Sequence, residues 1–176
     1  TGIGLSTLVD AYLFPVPQSV LEAFGEVILD DEIPLWQLIF FVCVMPGILE
    51  ELAFRGVLLH GLRKTWSPVI VCLVVGGIFG LFHVDLFRLI PTAYLGVIFA
   101  AVVLLTGSIF PAMLWHFGNN ALGLIPQRMG WVTEETVFPE WVLAIAVVAL
   151  LVVFWIIWKV STPYPDLKKK RPDAFG

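Results

Sequence analysis

Apolar residues fill this chain in five long runs, and the polar positions inside those runs are few enough to name. The runs cover residues 34–62, 67–85, 89–106, 108–124 and 141–158. Each is close to the ~20 residues that an α-helix needs to cross a ~30 Å hydrocarbon core. A sixth stretch, residues 5–24, is interrupted by Asp10, Pro15, Pro17 and Glu22 and reads as an interfacial or broken helix. The pattern predicts an all-α fold, a polytopic transmembrane bundle with five or six membrane helices. It divides the chain into an N-terminal interfacial helix and acidic loop (1–33), a membrane core (34–160) and a basic tail (161–176).

Composition agrees with that class. Hydrophobic residues make up 59% and charged residues only 14% of the 176 positions, and mean hydropathy is +0.95. A soluble domain carries nearer a quarter charged residues. Several of the seven Trp (Trp66, Trp131, Trp141, Trp158) lie near segment ends, as an interfacial aromatic belt requires. Cys43 and Cys72 lie in apolar stretches without metal-ligand spacing and read as reduced packing residues. The basic residues orient the bundle. With the tail Lys168-Lys169-Lys170-Arg171 in the cytoplasm, Arg63, Lys64 and Lys159 fall on the same side, so seven of the ten Lys and Arg face inward. Arg88 and Arg128 face outward and Arg55 lies within the membrane, an asymmetry that fits the positive-inside rule. The expected location is a bacterial cytoplasmic membrane, with a multi-pass chain and a cytoplasmic C-terminus. Its partners are the lipid bilayer and a membrane-borne substrate, with no nucleic acid.

Against this background the stretch Glu50-Glu51-Leu52-Ala53-Phe54-Arg55 is an anomaly. A charge at mid-membrane depth costs about 2.5–3.5 kcal/mol on insertion scales, so intramembrane ionisable groups mark functional sites by default. Neighbours on a helix point about 100° apart, so Glu50 and Glu51 cannot share a face. Glu51 and Arg55 are four apart, in the acid-before-base order that favours pairing. That leaves Glu50 as the unpartnered carboxylate, suited to general acid or base work. The plainer alternative is a structural Glu–Arg pair with Glu50 at a wet helix end.

Two further polar islands follow. His83 lies three residues beyond Gly80 and seven beyond Gly76, a stripe of small residues that admits a neighbouring helix. Phe79, one turn before His83, reads as packing. His116 and Asn120 are one turn apart on a common face. They present an imidazole and a carboxamide, either donors to a developing oxyanion or polar glue between helices. His60, beside Arg63 and Lys64, reads as interfacial.

Taken in order on successive apolar helices, Glu50-Glu51-x-x-x-Arg55, Phe79-x-x-x-His83 and His116-x-x-x-Asn120 resemble the CPBP family. This is the family of CAAX proteases and bacteriocin-processing intramembrane proteases, also called Abi. Phe54-Arg55-Gly56 and Thr106-Gly107-Ser108 fit the same pattern, and the resemblance spans roughly residues 34–124. It implies a glutamic-type intramembrane protease without cofactor. Glu50 and His83 would activate a water, His116 and Asn120 would stabilise the oxyanion, and the Glu51–Arg55 pair would position the acidic helix. The substrate would be a membrane-anchored or lipid-modified protein or peptide, cut near its C-terminus, as in protein sorting. Two other readings stand beside it. Glu50, His83 and His116 could form a His₂Glu zinc set, the lesser alternative because Asn120 has no natural role as a ligand. A non-enzymatic immunity or export partner is the other.

The topology raises one difficulty. His83 falls near the outer end of its run, whereas His116 is only about 8 residues, ~12 Å, from the inner end of its own. Straight helices would not bring them level. A break or tilt is therefore expected, at Pro46-Gly47 or Pro111.

Overall fold

In the computed structural model, residues 25–83, 86–132 and 140–160 are described. Among them every regular element is a helix. The expectations for residues 5–24 and for the tail from residue 161 onward lie outside the described residues. After a helical stretch over residues 25–29, five helices follow the five apolar runs. We label them α1 (Leu35–Leu62), α2 (Pro68–Phe82), α3 (Leu86–Thr106), α4 (Phe110–Arg128) and α5 (Glu140–Val160).

Local chemistry sets their ends. Pro34, with an extended backbone, precedes α1. Ser67 caps α2 by accepting the Ile70 N–H at 3.4 Å, with Pro68 at the first helical position, where a missing N–H costs nothing. Gly107 turns the chain from α3 into α4 at a φ of 68°, a conformation that favours glycine. By length and apolar content, Leu35–Leu62 and Arg88–Thr106 can cross a membrane, and Pro68–Phe82 is a shorter apolar helix.

The expected irregularity is found in α1. Two π-helical pieces, Ile39–Val44 and Leu52–Leu59, flank the α-helical piece Met45–Glu51 that contains Pro46. The acid pair therefore ends an α-helical segment bounded by wider turns, a kind of irregularity often found at functional sites. Pro111 breaks nothing. It occupies the first turn of α4, which continues unbroken to Arg128.

The expected close approach at Gly76 and Gly80 is present, and α3 is the helix that makes it. A Cβ on Gly76 would lie 2.7 Å from Val97 N, one on Gly80 2.7 Å from Leu89 O, and one on Gly96 2.8 Å from the Gly76 Cα. The α2 and α3 backbones are thus in contact along this stripe, the packing mode that suits helices in lipid. Helix α1 meets α4 at Gly47, where a Cβ would stand 3.4 Å from Met113 O and Phe117 N. The main core joins Phe54, Val71, Val75, Phe79 and Phe99, and a smaller one joins Leu38, Cys43 and Leu124. Both cysteines are free, Cys43 buried and Cys72 half-buried. Arg128, expected as an outward-facing cation, is the last residue of α4. It donates to Ile28 O and Ile33 O, both at 3.2 Å, and so ties the segment before α1 to the end of α4.

Gly76→Leu should destabilise the bundle by about 1–3 kcal/mol, the usual cost of overpacking. Gly77→Leu should be close to neutral, since nothing lies within 4 Å of a Cβ there. Denaturant titration in detergent micelles compares the two. Equal losses would mean that the α2–α3 contact does not depend on glycine.

Candidate active site

Arg55 organises the buried polar cluster. It lies one turn after Glu51 on α1, and both side chains are fully buried. Its Nη1 donates to Glu51 Oε1 at 2.8 Å, and its Nη2 donates to Gly96 O of α3 at 3.0 Å. Three aromatic rings surround the guanidinium, with centroids 4.5 Å (Phe79), 5.3 Å (Phe99) and 5.9 Å (Phe54) from Cζ. A cation removed from water is thus met by a carboxylate, a carbonyl and the negative faces of π systems. The expected Glu51–Arg55 pair is present, and it joins α1 to α3.

The same Glu51 oxygen also holds His116 of α4, whose Nδ1 lies 2.9 Å away. An ionised carboxylate can only accept, so Nδ1 carries the hydrogen and donates to Glu51. This turns Nε2 towards Glu50, whose Oε2 is 3.9 Å away. The imidazole is stacked on Phe99 (5.4 Å between centroids, 26° between planes) and meets the edge of Phe79 at 5.9 Å. Its orientation is therefore set on both faces and at one nitrogen. Glu50 is the half-buried member, with 23% of its side chain exposed. Its Oε2 is buried without a hydrogen-bond partner, as is Glu51 Oε2. Buried polar atoms are normally paired, so an orphan carboxylate oxygen facing an imidazole is a position where polar ligand atoms belong.

His83 follows the last turn of α2 and is half-buried. Its Nδ1 lies 2.8 Å from Phe79 O. A carbonyl only accepts, so Nδ1 is the donor and Nε2 keeps its lone pair. No direct contact joins His83 to Glu50 or His116. The link is Phe79, whose ring is 4.9 Å from the His83 ring and 5.9 Å from that of His116. Helical side chains lean towards the N-terminus of their helix, and the bond to Phe79 O folds His83 back along α2. Asn120 belongs to the α1–α4 interface, where its Nδ2 donates to Val42 O at 2.9 Å. Among the described residues no three His, Cys, Asp or Glu side chains are gathered as a metal site, so the set Glu50, His83 and His116 is not a preformed ligand cluster. His60 pairs with Arg63 near the end of α1, with Nδ1 3.4 Å from Arg63 Nε.

Three contributors were not foreseen. Phe79 is the hub of the site, in contact with Arg55 and both histidines; its place one turn before His83 was the available signal. Phe99 supplies the stacking face for His116, and nothing in its apolar surroundings distinguishes it. Gly96 acts through its carbonyl, which no residue type announces.

Comparison with known proteins bears on the same segment. The family model described as type II CAAX prenyl endopeptidase Rce1-like matches residues 32–122, a span that includes Glu50, Glu51, Arg55, His83, His116 and Asn120. No curated protein matches the chain, and no solved structure does. The matched family is one of membrane proteases that act on membrane-associated peptides. With more than half of its length matched, this integral membrane protein belongs to the Rce1-like family of CAAX proteases.

Proposed function

We propose that the chain is a glutamic-type intramembrane endopeptidase that cleaves a membrane-anchored or lipid-modified substrate near its C-terminus. In this reading all five helices cross the bilayer and the basic tail is cytoplasmic. The observation that carries the proposal is the facing of Glu50 Oε2, which lacks a hydrogen-bond partner, and His116 Nε2. At 3.9 Å the two atoms are too far apart for a direct hydrogen bond. They suit a small polar species held between them, as the nucleophilic water of a hydrolase requires.

The charges support the same assignment. Arg55 offsets one of the two carboxylates, so an imidazolium at His116 would balance the other and present an Nε2–H. In the proposed reaction Glu50, assisted by His83 through its free Nε2, takes a proton from water as the oxygen attacks the peptide carbon. His116 Nε2–H and the Asn120 carboxamide donate to the resulting oxyanion. Glu50 then returns the proton to the leaving amine as the C–N bond breaks. Glu51, held by Arg55, keeps the His116 ring oriented through Nδ1 and favours its charged form, which gives the structural pair a catalytic purpose.

Three outcomes follow, measured on lipidated or transmembrane-anchored peptides with the protein in vesicles. Glu50→Gln should fold normally and lower kcat by about 10²–10⁴-fold, the range for loss of a general acid–base group; an unchanged rate would refute Glu50 as the catalytic carboxylate, and a biological phenotype that survives the substitution would favour a binding role. Arg55→Ala should destabilise the fold by about 3–5 kcal/mol, because it leaves the Glu51 charge buried and unpaired. Arg55→Lys should recover little of this, since a single ammonium cannot reproduce the fork that reaches both Glu51 and Gly96 O. Hydrolysis should survive a strong chelator and gain nothing from added zinc; loss on chelation with recovery on zinc would replace the proposal by a metal mechanism.

A further inference from the structure

The His83 imidazole is held from its own helix. Its Nδ1 donates to Phe79 O at 2.8 Å, which fixes one atom of the ring. A single hydrogen bond leaves the ring free to pivot about that line, and a pivot moves Nε2. Two phenyl rings limit the pivot: Phe79, with centroids 4.9 Å apart and planes at 67°, and Phe82, 6.3 Å apart at 87°. Both are edge contacts within the roughly 4.5–7 Å range that aromatic pairs favour.

The two rings differ in what surrounds them. Phe79 is buried and also packs on Arg55 and His116. Phe82, the last residue of α2, is 61% exposed. Lipid tails are as apolar as a neighbouring helix, so burial by itself gains little for a ring at this position. What the Phe82 ring has is its contacts. Besides His83 it meets Phe54 of α1, at 5.4 Å and 71°. Phe54 in turn packs on Phe79 at 5.0 Å and 87°, and it lies one turn after Glu50. Phe54, Phe79, His83 and Phe82 thus form a closed cycle of four rings. Through it His83 is fixed to α1, the helix of Glu50, along two paths rather than one.

The geometry points to Phe82 as a positioning residue for His83: paired with Phe54 of α1, its ring closes the cycle on the exposed side and stops the imidazole from pivoting on its bond to Phe79 O. The use of Nε2 in catalysis rests on the hydrolase reading given above; the clamp does not. The rival account is an ordinary lipid-facing phenylalanine, whose replacement leaves His83 as it was.

Phe82→Leu removes the ring but keeps an apolar side chain at an exposed position, so the fold should stand. The first readout is the nitrogen NMR spectrum of isotope-labelled histidine rings in detergent micelles at about pH 9, where imidazoles are neutral. It shows which ring nitrogen carries the hydrogen, and His83→Gln identifies the His83 signals among those of the three histidines. Native His83 should carry hydrogen on Nδ1 alone. Phe82→Leu should give a mixture of the two tautomers at His83, with the His116 signals unchanged. The second readout is kcat and KM on a lipidated peptide in vesicles. Phe82→Leu should lower kcat by about 10-fold, less than the ~100-fold that a 1 Å misplacement can cost, with KM unchanged. Phe82→Tyr, which keeps the ring, should match the native protein in both readouts. In the His83→Gln background, Phe82→Leu should cause no further loss of kcat. A native spectrum for Phe82→Leu, an unchanged kcat where His83→Gln is slow, the same losses in Phe82→Tyr, or an equal loss in the His83→Gln background would overturn the proposal. If the native protein hydrolyses no peptide, or His83→Gln does not slow it, the hydrolase role of His83 fails while the spectrum still decides the clamp.

Discussion

One oxygen of Glu51 accepts from both Arg55 and His116, and much of the bundle is arranged so that it can. Removing two opposite charges from water costs several kcal/mol per ion, which their attraction offsets only when the geometry is good and the remaining hydrogen bonds are made. Here the guanidinium also reaches Gly96 O and lies among three phenyl rings, and the shared carboxylate oxygen draws in an imidazole. The cluster thereby ties α1, α3 and α4 together at one depth. It also leaves Glu50, next in sequence but on another face, half-buried and outside the Arg55 pair. The contrast between the neighbours is thus a consequence of helix geometry: Glu51 is held by Arg55 and His116, whereas Glu50 Oε2 faces His116 Nε2 at 3.9 Å.

Close backbone packing makes that cluster reachable. Arg55 can donate to a carbonyl of α3 only if α3 lies near α1, and α3 is held in place largely by its contact with α2. The glycine stripe of Gly76, Gly80 and Gly96 allows that contact, since a methyl group at any of the three would meet neighbouring atoms at about 3 Å or less. The aromatic residues then fill the space that the glycines leave. Phe79 in particular lies between the guanidinium and the two histidine rings. A residue that packs in the ordinary sense therefore also transmits position from the buried ion pair to the functional groups.

Much of this was legible in the residues themselves. Five apolar runs predicted five helices because apolar length and chain punctuation are local properties, and Ser67, Pro68 and Gly107 mark helix ends by their own chemistry. The four-residue interval between Glu51 and Arg55 predicted their pairing, and Gly76 with Gly80 predicted a close helix neighbour. Of the two places expected to break or tilt, the Pro46 region shows π-helical irregularity within a continuous helix, and Pro111 shows none, because a proline in the first turn of a helix has no intrahelical bond to lose. His116 was expected as an oxyanion donor, and the structure adds the bond that orients it. Asn120 was expected beside it; its bond to Val42 O depends on the approach of a different helix.

The sequence by itself determined the all-helical class, the positions of the helices, the pairing of Glu51 with Arg55 and the placing of Glu50 on another face. These follow from periodicity, apolar length and the cost of charge in hydrocarbon, all of which act within one helix. Only the tertiary structure decided that His116 shares Glu51 with Arg55, that Gly96 contributes a carbonyl, that Phe79 links the two histidines, and that Asn120 donates to Val42 O. Each of these depends on how helices distant in sequence are rotated and spaced against one another. That arrangement is set by the packing of many side chains together, and no single residue or interval encodes it.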